Sequence, residues 1–304
     1  MTVFASGEGG RLLTTYVAED TFNTTPSTPT MLTTRCTGFN MNPTKAANVS
    51  EEIGVSQPKN VRLGPQRNAG DMSIELSYGT YDDFLAALLR GSWSTDVLKV
   101  GTTFSSFTFE NKFTAVAAEY EIFRGVIFDT LSLDCKPETI VTGSFGMLAA
   151  SIEPAAATLD ADPTAASTTL PFDSFSGSIS EGGVELFTIT GLNLSIQNNA
   201  ELGLVIGSTT AQTQNRGVFS VTGSIDAYYA DNTLIDKFLN ETSSSLTLVL
   251  SDAAGNSLTI DFSNIKYTGS TKNIGSGPIM LNMPFQALYD STDESSILIT
   301  RAAA

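Results

Sequence analysis

The chain has 304 residues, 32 of them acidic and 16 basic, with a formal net charge of −16, two cysteines and no histidine. This acidic balance, without a long cationic cluster, argues against a protein that grips nucleic acid. The lack of histidine removes the commonest general base and metal ligand, and it makes a Ser-His-Asp triad impossible.

A period-two alternation, rich in Thr, Val, Ile and Phe, runs through most of the chain between clusters of Gly, Asn, Asp and Ser. It predicts a mainly β protein. Residues 1–31 come before the first repeated segment, and we interpret them as an N-terminal arm. They would lack partners in a lone monomer, so we expect them to be used in contacts between subunits.

The first predicted domain covers residues 32–152 and begins with the strand TGFNMN at 37–42. The polar residues 42–71 are too long for a tight hairpin, so we expect them to project from the domain. Cys36 and Cys135 both belong to this half of the chain. They have no counterparts in the second half, which favours buried free thiols over a structural disulfide.

One helical pattern interrupts the strands of this half, at residues 80–91. Its first turn is acidic, which suits the positive end of a helix dipole. Trp93 follows it, where capping the core is the simplest role. Four apolar residues form the stripe of this helix: Phe84, Leu85, Leu88 and Leu89.

Residues 153–183 are rich in Ala, Thr, Ser, Asp, Pro and Gly, which is typical of an exposed linker. The second predicted domain, 184–304, begins with TGLNLS at 190–195. The polar segment 195–217 should project like its counterpart in the first half. In the strand 218–228 we expect one apolar face, formed by Phe219, Val221, Ile225 and Ala227.

A second helical pattern lies at 230–241, with an apolar stripe of its own. Residues 245–262 then predict a hairpin whose turn is DAAGN. The stripe of this second helix consists of Leu234, Ile235, Phe238 and Leu239.

Six segments recur in the same order in both halves, which indicates an internal duplication. The unit that is repeated is a β-sandwich with one short α-helix. The matches are TGFNMN with TGLNLS, SIEL (73–76) with SIDA (224–227), FLAALL (84–89) with LIDKFL (234–239), SFTF (106–109) with SLTL (245–248), Phe123, Val126 and Phe128 with Phe262, Ile265 and Tyr267, and FGML (145–148) with FQAL (285–288).

The sequence offers few candidate catalytic residues, and we expect no cofactor and no metal. Paired carboxylates are the remaining candidates for acid–base work. Each pair has a simpler interpretation. Asp82 with Asp83 suits the first turn of a helix, Glu51 with Glu52 a polar loop, and Asp160 with Asp162 the linker.

Several segments together resemble the tail tube proteins of long-tailed, non-contractile bacteriophages, over nearly the whole chain. No single motif is decisive, and the order and spacing of the segments carry the resemblance. They are TTYVAEDTFNTTPSTP (14–29), the two repeat starts, VTGSIDAYYADNTLIDKFL (221–239), FQALYD (285–290) and ILITR (297–301).

The resemblance implies a structural protein, not an enzyme, that stacks as rings into a hollow tail through which the genome passes. A duplicated domain implies three subunits in a pseudo-sixfold ring, closed as one β-barrel. It also implies tail tip, tape-measure and tail terminator proteins as partners, passage of double-stranded DNA without specific binding, and a location in the virion tail. No long apolar run or signal peptide is evident, so we expect assembly in the host bacterial cytoplasm and no membrane binding.

If the apolar face of each strand packs on the core, the opposite face lines the channel. Neither set of predicted lining residues contains a Lys or Arg, which would hold DNA phosphates. We expect Glu75 and Asp226 to align between the two halves. The predicted lining residues are Asn40, Asn42, Ser73, Glu75, Ser77, Thr142 and Ser144 in the first half, and Asn193, Ser195, Ser220, Thr222, Ser224, Asp226 and Asn282 in the second.

Two other classes of function remain open at this point. A two-domain β-sandwich adhesin or carbohydrate-binding module would use clustered surface Trp and Tyr, whereas this chain has one Trp and scattered Tyr. A hydrolase with paired carboxylates would need a cleft between the domains.

Overall fold

The computed structural model describes residues 12–50, 56–114 and 119–304, and it is mainly β with two short helices. The predicted carboxylate pair Glu51 and Glu52 and the first part of the N-terminal arm lie outside these ranges. The first unit contains β1 (Leu12–Ala18), β2 (Leu32–Thr33), β3 (Gly38–Val49), β4 (Val61–Glu75), α1 (Asp82–Leu88), β5 (Val97–Lys99), β6 (Phe107–Phe113), β7 (Tyr120–Cys135), β8 (Thr142–Ala149) and β9 (Ser151–Ala155).

The second unit contains the second helix and the predicted hairpin, formed by two strands that meet at a turn over residues 252–256. Its elements are β10 (Asp173–Glu181), β11 (Val184–Glu185), β12 (Ile189–Gln197), β13 (Ala200–Gly203), β14 (Thr213–Arg216), β15 (Ser220–Tyr228), α2 (Thr233–Leu239), β16 (Ser244–Ser251), β17 (Ser257–Tyr267), β18 (Thr271–Asn273), β19 (Met280–Ala287) and β20 (Leu298–Ala302).

The two units share one order of strand pairing. In the first unit the pairs are β3–β4, β4–β8, β7–β8, β6–β7, β1–β6 and β7–β9. In the second they are β12–β15, β15–β19, β17–β19, β16–β17, β10–β16 and β17–β20. In the chain, α1 follows β4 and α2 follows the equivalent strand β15.

Register shows that three of the six predicted sequence matches are out by two residues. The helix match, FLAALL with LIDKFL, is out by one, because Leu88 ends α1 where Leu239 ends α2. Gly38 faces Ser73, and Gly191 faces Asp226, so Ser73 corresponds to Asp226. The expected alignment of Glu75 with Asp226 is therefore wrong. A shift of two residues keeps every side chain on its face, so the alternation of apolar residues could not reveal it.

The matches of SFTF with SLTL and of FGML with FQAL need the same correction. Phe109 faces Phe123 and Leu246 faces Phe262, so Phe109 corresponds to Leu246. Phe128 faces Met147 and Tyr267 faces Phe285, so Met147 corresponds to Phe285. The end of β7 corresponds to β18. Ser132 faces Ser144 and Thr271 faces Asn282, so Ser132 corresponds to Thr271, at the same offset in sequence that relates Phe128 to Tyr267.

A long sheet joins the two units through the pairing of β7 with β12, in which Cys135 faces Leu192 and Thr130 faces Gln197. Its strand order is β3–β4–β8–β7–β12–β15–β19, and β17 and β18 follow on the far side of β19. A second link pairs β5 of the first unit with β20 of the second. The described chain contains no closed barrel.

The second layer of the first unit consists of β2, β1, β6, β9 and the start of β7. β7 serves both layers because its backbone turns at Gly125, where φ is +61°, and bulges after Phe128. The α1 stripe packs between the layers, with Phe84, Leu85 and Leu88 all buried as predicted.

Two segments expected to lie outside the sandwiches belong to them. Within the predicted N-terminal arm, β1 pairs with β6 along its whole length and Tyr16 is in the core. The predicted exposed linker, residues 153–183, includes the whole of β10, which pairs with β16, and the fully buried Phe172. Small β-compatible residues such as Ser and Thr suit a sheet as well as a linker, so composition alone misled here.

The two polar segments that follow the repeat starts behave differently. Thr44–Val49 and Val61–Leu63 form an extended, exposed hairpin, as expected, but the end of the segment 42–71 belongs to the sheet, where Asn68 is buried and faces Ala149. The segment 195–217 does not project, because Asn198 and Ala211 are buried and Arg216 donates to the carbonyl of Phe128 at 3.0 Å. The second segment folds back onto the first unit.

Both cysteines are free, with Cys135 buried and Cys36 half-buried. Burial raises the pKa of Cys135 to about 12, which keeps its thiol protonated and unreactive at neutral pH. Trp93 packs at the margin of the core, as predicted, and its Nε1 donates to the carbonyl of Asp82.

Candidate functional site

The candidate site is the face of the long sheet that points away from the core, which we call the polar face. It is built by alternation: in β12, Leu192, Leu194 and Ile196 are buried, while Asn193 and Gln197 are exposed. β15 and β8 repeat the pattern. Because neighbouring strands are in register, their outward residues form one continuous surface.

A concavity of about 1000 Å³ runs along the middle of the polar face, across the join between the two units. Eight of the fourteen predicted lining residues border it: Ser73, Glu75, Thr142, Ser144, Asn193, Ser195, Thr222 and Ser224. Alternation places five more on the same face, namely Asn40, Asn42, Ser220, Asp226 and Asn282.

Ser77 is the exception among the fourteen. It lies after the end of β4, where the alternation no longer applies, and its side chain is buried. Its hydroxyl is hydrogen-bonded to that of Thr80 at 2.7 Å. The prediction that Ser77 belongs to this surface is therefore wrong.

Sequence reasoning missed the central part of the polar face. Ser132 and Asp134 of β7, Gln286 of β19 and Thr37 border the same concavity. The alternation in TLSLDC at 130–135 was a usable signal for β7, but its importance depends on the pairing with β12, which joins residues far apart in sequence.

Two carboxylates on the polar face, Asp226 and Asp134, have local partners. Asp226 accepts a hydrogen bond from Asn282 Nδ2 at 2.7 Å, directly across the strand pair. Asp134 pairs with Lys136 at 2.6 Å, and this hydrogen bond raises the pKa of Lys136. Lys136, which is exposed, lies at the end of β7.

A second lysine, Lys266, lies opposite Gln286 at the margin of the face. The middle of the face, where the two units join, is lined by hydroxyl, amide and carboxylate side chains. Such groups hydrogen-bond water and carry no positive charge toward a passing anion.

The two carboxylate pairs that the structure describes, Asp82 with Asp83 and Asp160 with Asp162, do not form a catalytic site. Asp82 and Asp83 lie in the first turn of α1, as expected, and are engaged with Arg301 and with the Tyr16 hydroxyl. Asp160 accepts backbone N–H groups of Met31 and Asp162, and these bonds lower its pKa. Asp82, Asp83 and Asp160 thus have structural partners.

Within the described ranges, no three potential metal-ligating side chains come together. Neither α1 nor α2 has the length and apolar character needed to cross a membrane.

Comparisons with known proteins were made on the whole chain. A search among curated proteins finds no significant match. Residues 11–287 match the family described as phage tail tube protein.

Proposed function

Because the chain belongs to the phage tail tube protein family, we propose that three copies of it close into a pseudo-sixfold ring, and that stacked rings conduct double-stranded DNA through the tail. Membership makes the chain a structural component of the virion tail that assembles with itself and with other tail proteins. It does not favour the alternative of an adhesin or carbohydrate-binding module.

The observation that supports this proposal most directly is the long sheet that crosses both units. It has a polar face on one side and a free edge at each end, because β3 pairs only with β4 and β18 only with β19 in the described part of the chain. A free edge is a template for further strand pairing, and closing a barrel removes it.

Size supports a ring of three. Each chain contributes eight strands to the long sheet when β17 and β18 are counted as one path. Three chains then give about 24 strands, and at ~4.8 Å per strand the circumference is ~115 Å. The corresponding diameter of roughly 37 Å, before tilt widens it, admits a B-form duplex.

In this proposal the polar face is the lumen, and the protein acts as a conduit without a catalytic step or a cofactor. The two units are duplicated tube domains, the virion is long-tailed and non-contractile, and assembly takes place in the host cytoplasm. The tail tip, tape-measure and terminator proteins are the remaining partners.

Electron microscopy and native mass measurement of the purified protein test the proposal together. We expect hollow rings or tubes, and a mass of three chains for rings released from them. Discrete monomers at all concentrations would contradict the tube. Rings of six chains would mean that one unit of each chain lies outside the inner barrel.

A further inference from the structure

α1 and α2 occupy equivalent positions in the two units but differ in how much of their surface the rest of the chain buries. Arg90 and Glu241 follow α1 and α2 at the same distance, and both have positive φ, +56° and +51°. Leu88, the last residue of α1, is 0% exposed, whereas its equivalent Leu239 is 68% exposed. None of the α2 residues is buried within the chain.

What covers the end of α1 is the start of the second polar segment. Asn198 is fully buried there, and its Nδ2 donates to the carbonyls of Leu88 at 2.7 Å and Phe128 at 3.2 Å. Its Oδ1 accepts a hydrogen bond from Arg90 Nε at 2.7 Å. Arg90 also donates to the carbonyl of Gly217, at the end of the same segment.

The corresponding residues of the first polar segment follow from register. Gln197 faces Ser220 and Thr44 faces Arg67, at one constant offset, so Asn198 corresponds to Lys45. The same offset matches Gly217 with Gly64, so the two segments are equal in length. Lys45 lies on the exposed hairpin of β3 and β4.

The positions of donor and acceptor at the two equivalent sites are therefore reversed. The cationic hydrogen-bond donor belongs to the helix end in the first unit, and to the polar segment at the equivalent site of the second unit. In the covered contact the cation Arg90 belongs to the helix end, and the segment supplies the amide oxygen of Asn198. At the uncovered helix the anion Glu241 takes the place of Arg90, and the segment supplies the ammonium group of Lys45. Lys45 could also donate to the carbonyls of Leu239 and Tyr267, which match those of Leu88 and Phe128.

The free edges of β3 and β18 correspond to the two strands, β12 and β7, that pair inside the chain. β12 pairs with β7 inside the chain, and the equivalents of these two strands are β3 and the residues around β18. Transferring the register pairs Phe39 with Ile274, Asn40 with Asn273 and Asn42 with Thr271. Pro43 has no N–H group, so the ladder would end there.

We propose that Leu239, Glu241 and the free edge of β18, together the α2 docking surface, bind the β3 edge and Lys45 of a second copy of this chain. The contact between the two units inside one chain is thus repeated between chains. This inference rests on the proposed function, since it names the surface through which successive subunits of a ring would join.

A charge exchange tests the ion pair. Glu241→Lys and Lys45→Glu, each alone, should raise the protein concentration needed for polymer by at least roughly tenfold, because each buries like charges together. The double variant should recover most of the polymer. Glu294→Lys is the matched control, since Glu294 is exposed and also has positive φ, +56°.

Normal polymerisation by both single variants, or failure of the double variant to recover, would overturn the docking surface while leaving a tube-forming protein. Failure of the unaltered chain to form rings or tubes at any concentration would instead contradict the proposed function. The two failures are therefore distinguishable.

Cysteine pairs test the strand register in the assembled protein. In a Cys36→Ser, Cys135→Ala background, Asn40→Cys with Asn273→Cys should give disulfide-linked multimers on mild oxidation, since directly opposed side chains meet disulfide distances. Asn42→Cys with Asn273→Cys is the control displaced by two residues and should give few. Equal yields from both pairs, or none from the first in intact tubes, would overturn the proposed pairing.

Discussion

Phe84 organises the core of the first unit. Its ring lies 4.6 Å from the ring of Tyr16, 4.7 Å from that of Phe128 and 6.0 Å from that of Phe145, measured between centroids. These partners come from β1, β7 and β8, so one side chain of α1 ties together both layers of the sandwich. Aromatic pairs at such distances add to the free energy gained from burial alone.

Removing this ring should destabilise the first unit strongly. We expect Phe84→Ala to lower the free energy of unfolding by about 3–5 kcal/mol, because it leaves a cavity at a fully buried site. Urea unfolding under conditions that prevent polymerisation measures the change. The matched control is Ile235→Ala at the equivalent, half-buried position of α2, where a much smaller loss is expected.

At the level of elements, α1 and α2 differ in burial: Phe84, Leu85 and Leu88 of α1 are buried, whereas the apolar residues of α2 are at most partly buried and an ion pair helps to hold this helix. Lys237 of α2 places its Nζ 2.7 Å from both carboxylate oxygens of Glu181, at the end of β10. Glu181 is buried and also accepts a hydrogen bond from the Tyr267 hydroxyl at 3.3 Å. The equivalent of Lys237 in α1 is Ala86, which makes no such bond.

The ion pair gives a prediction for α2. Lys237→Met keeps the length of the side chain but leaves the Glu181 carboxylate buried without its cation, so we expect a loss of about 3 kcal/mol in the free energy of unfolding. Thermal or urea unfolding of the monomer would show it. Lys237→Arg keeps the charge and should lose much less; equal losses in both variants would mean that packing, and not charge, holds α2.

The sequence predicts the elements of this fold better than their partners. Both helices, the hairpin of β16 and β17 and the apolar face of β15 follow from periodicity, which is a local property. The pairing of β7 with β12 depends on residues about sixty positions apart, and no local pattern reports it. Register is likewise hidden, since a shift of two residues preserves the faces and misaligned Glu75 with Asp226.

The same limit explains the unequal success with the two polar segments. Their compositions are alike, so the sequence predicts the same projecting structure for both. The second segment contacts the end of α1, where Asn198 donates to the carbonyl of Leu88 and Arg216 to that of Ala87. The hairpin at the middle of the first segment remains exposed within the single chain.

At the scale of the whole molecule, the charges of the polar face suit the proposed conduit for DNA. Lys136 and Lys266 lie near a strand end or a margin, Lys136 is paired with Asp134, and Arg67 lies opposite Thr44 on the exposed hairpin. A cation in the middle would bind phosphates by releasing counterions. Carboxylates and small polar groups repel the DNA backbone weakly, over about a Debye length.

The polar face therefore gives a prediction about DNA transit. In the corrected register Glu75 and Asp226 lie on different levels of the sheet, so three subunits would set two rings of three carboxylates, and not one ring of six. We expect virions assembled with Glu75→Lys and Asp226→Lys to form normal tails but to release DNA several times more slowly, because six added cations would hold phosphates during passage. Dye fluorescence during triggered ejection measures the rate, and raising the salt concentration should restore it. Glu294→Lys, outside the polar face, is the control for added charge. Release at the unaltered rate in low salt would show that these two side chains do not face the passing DNA.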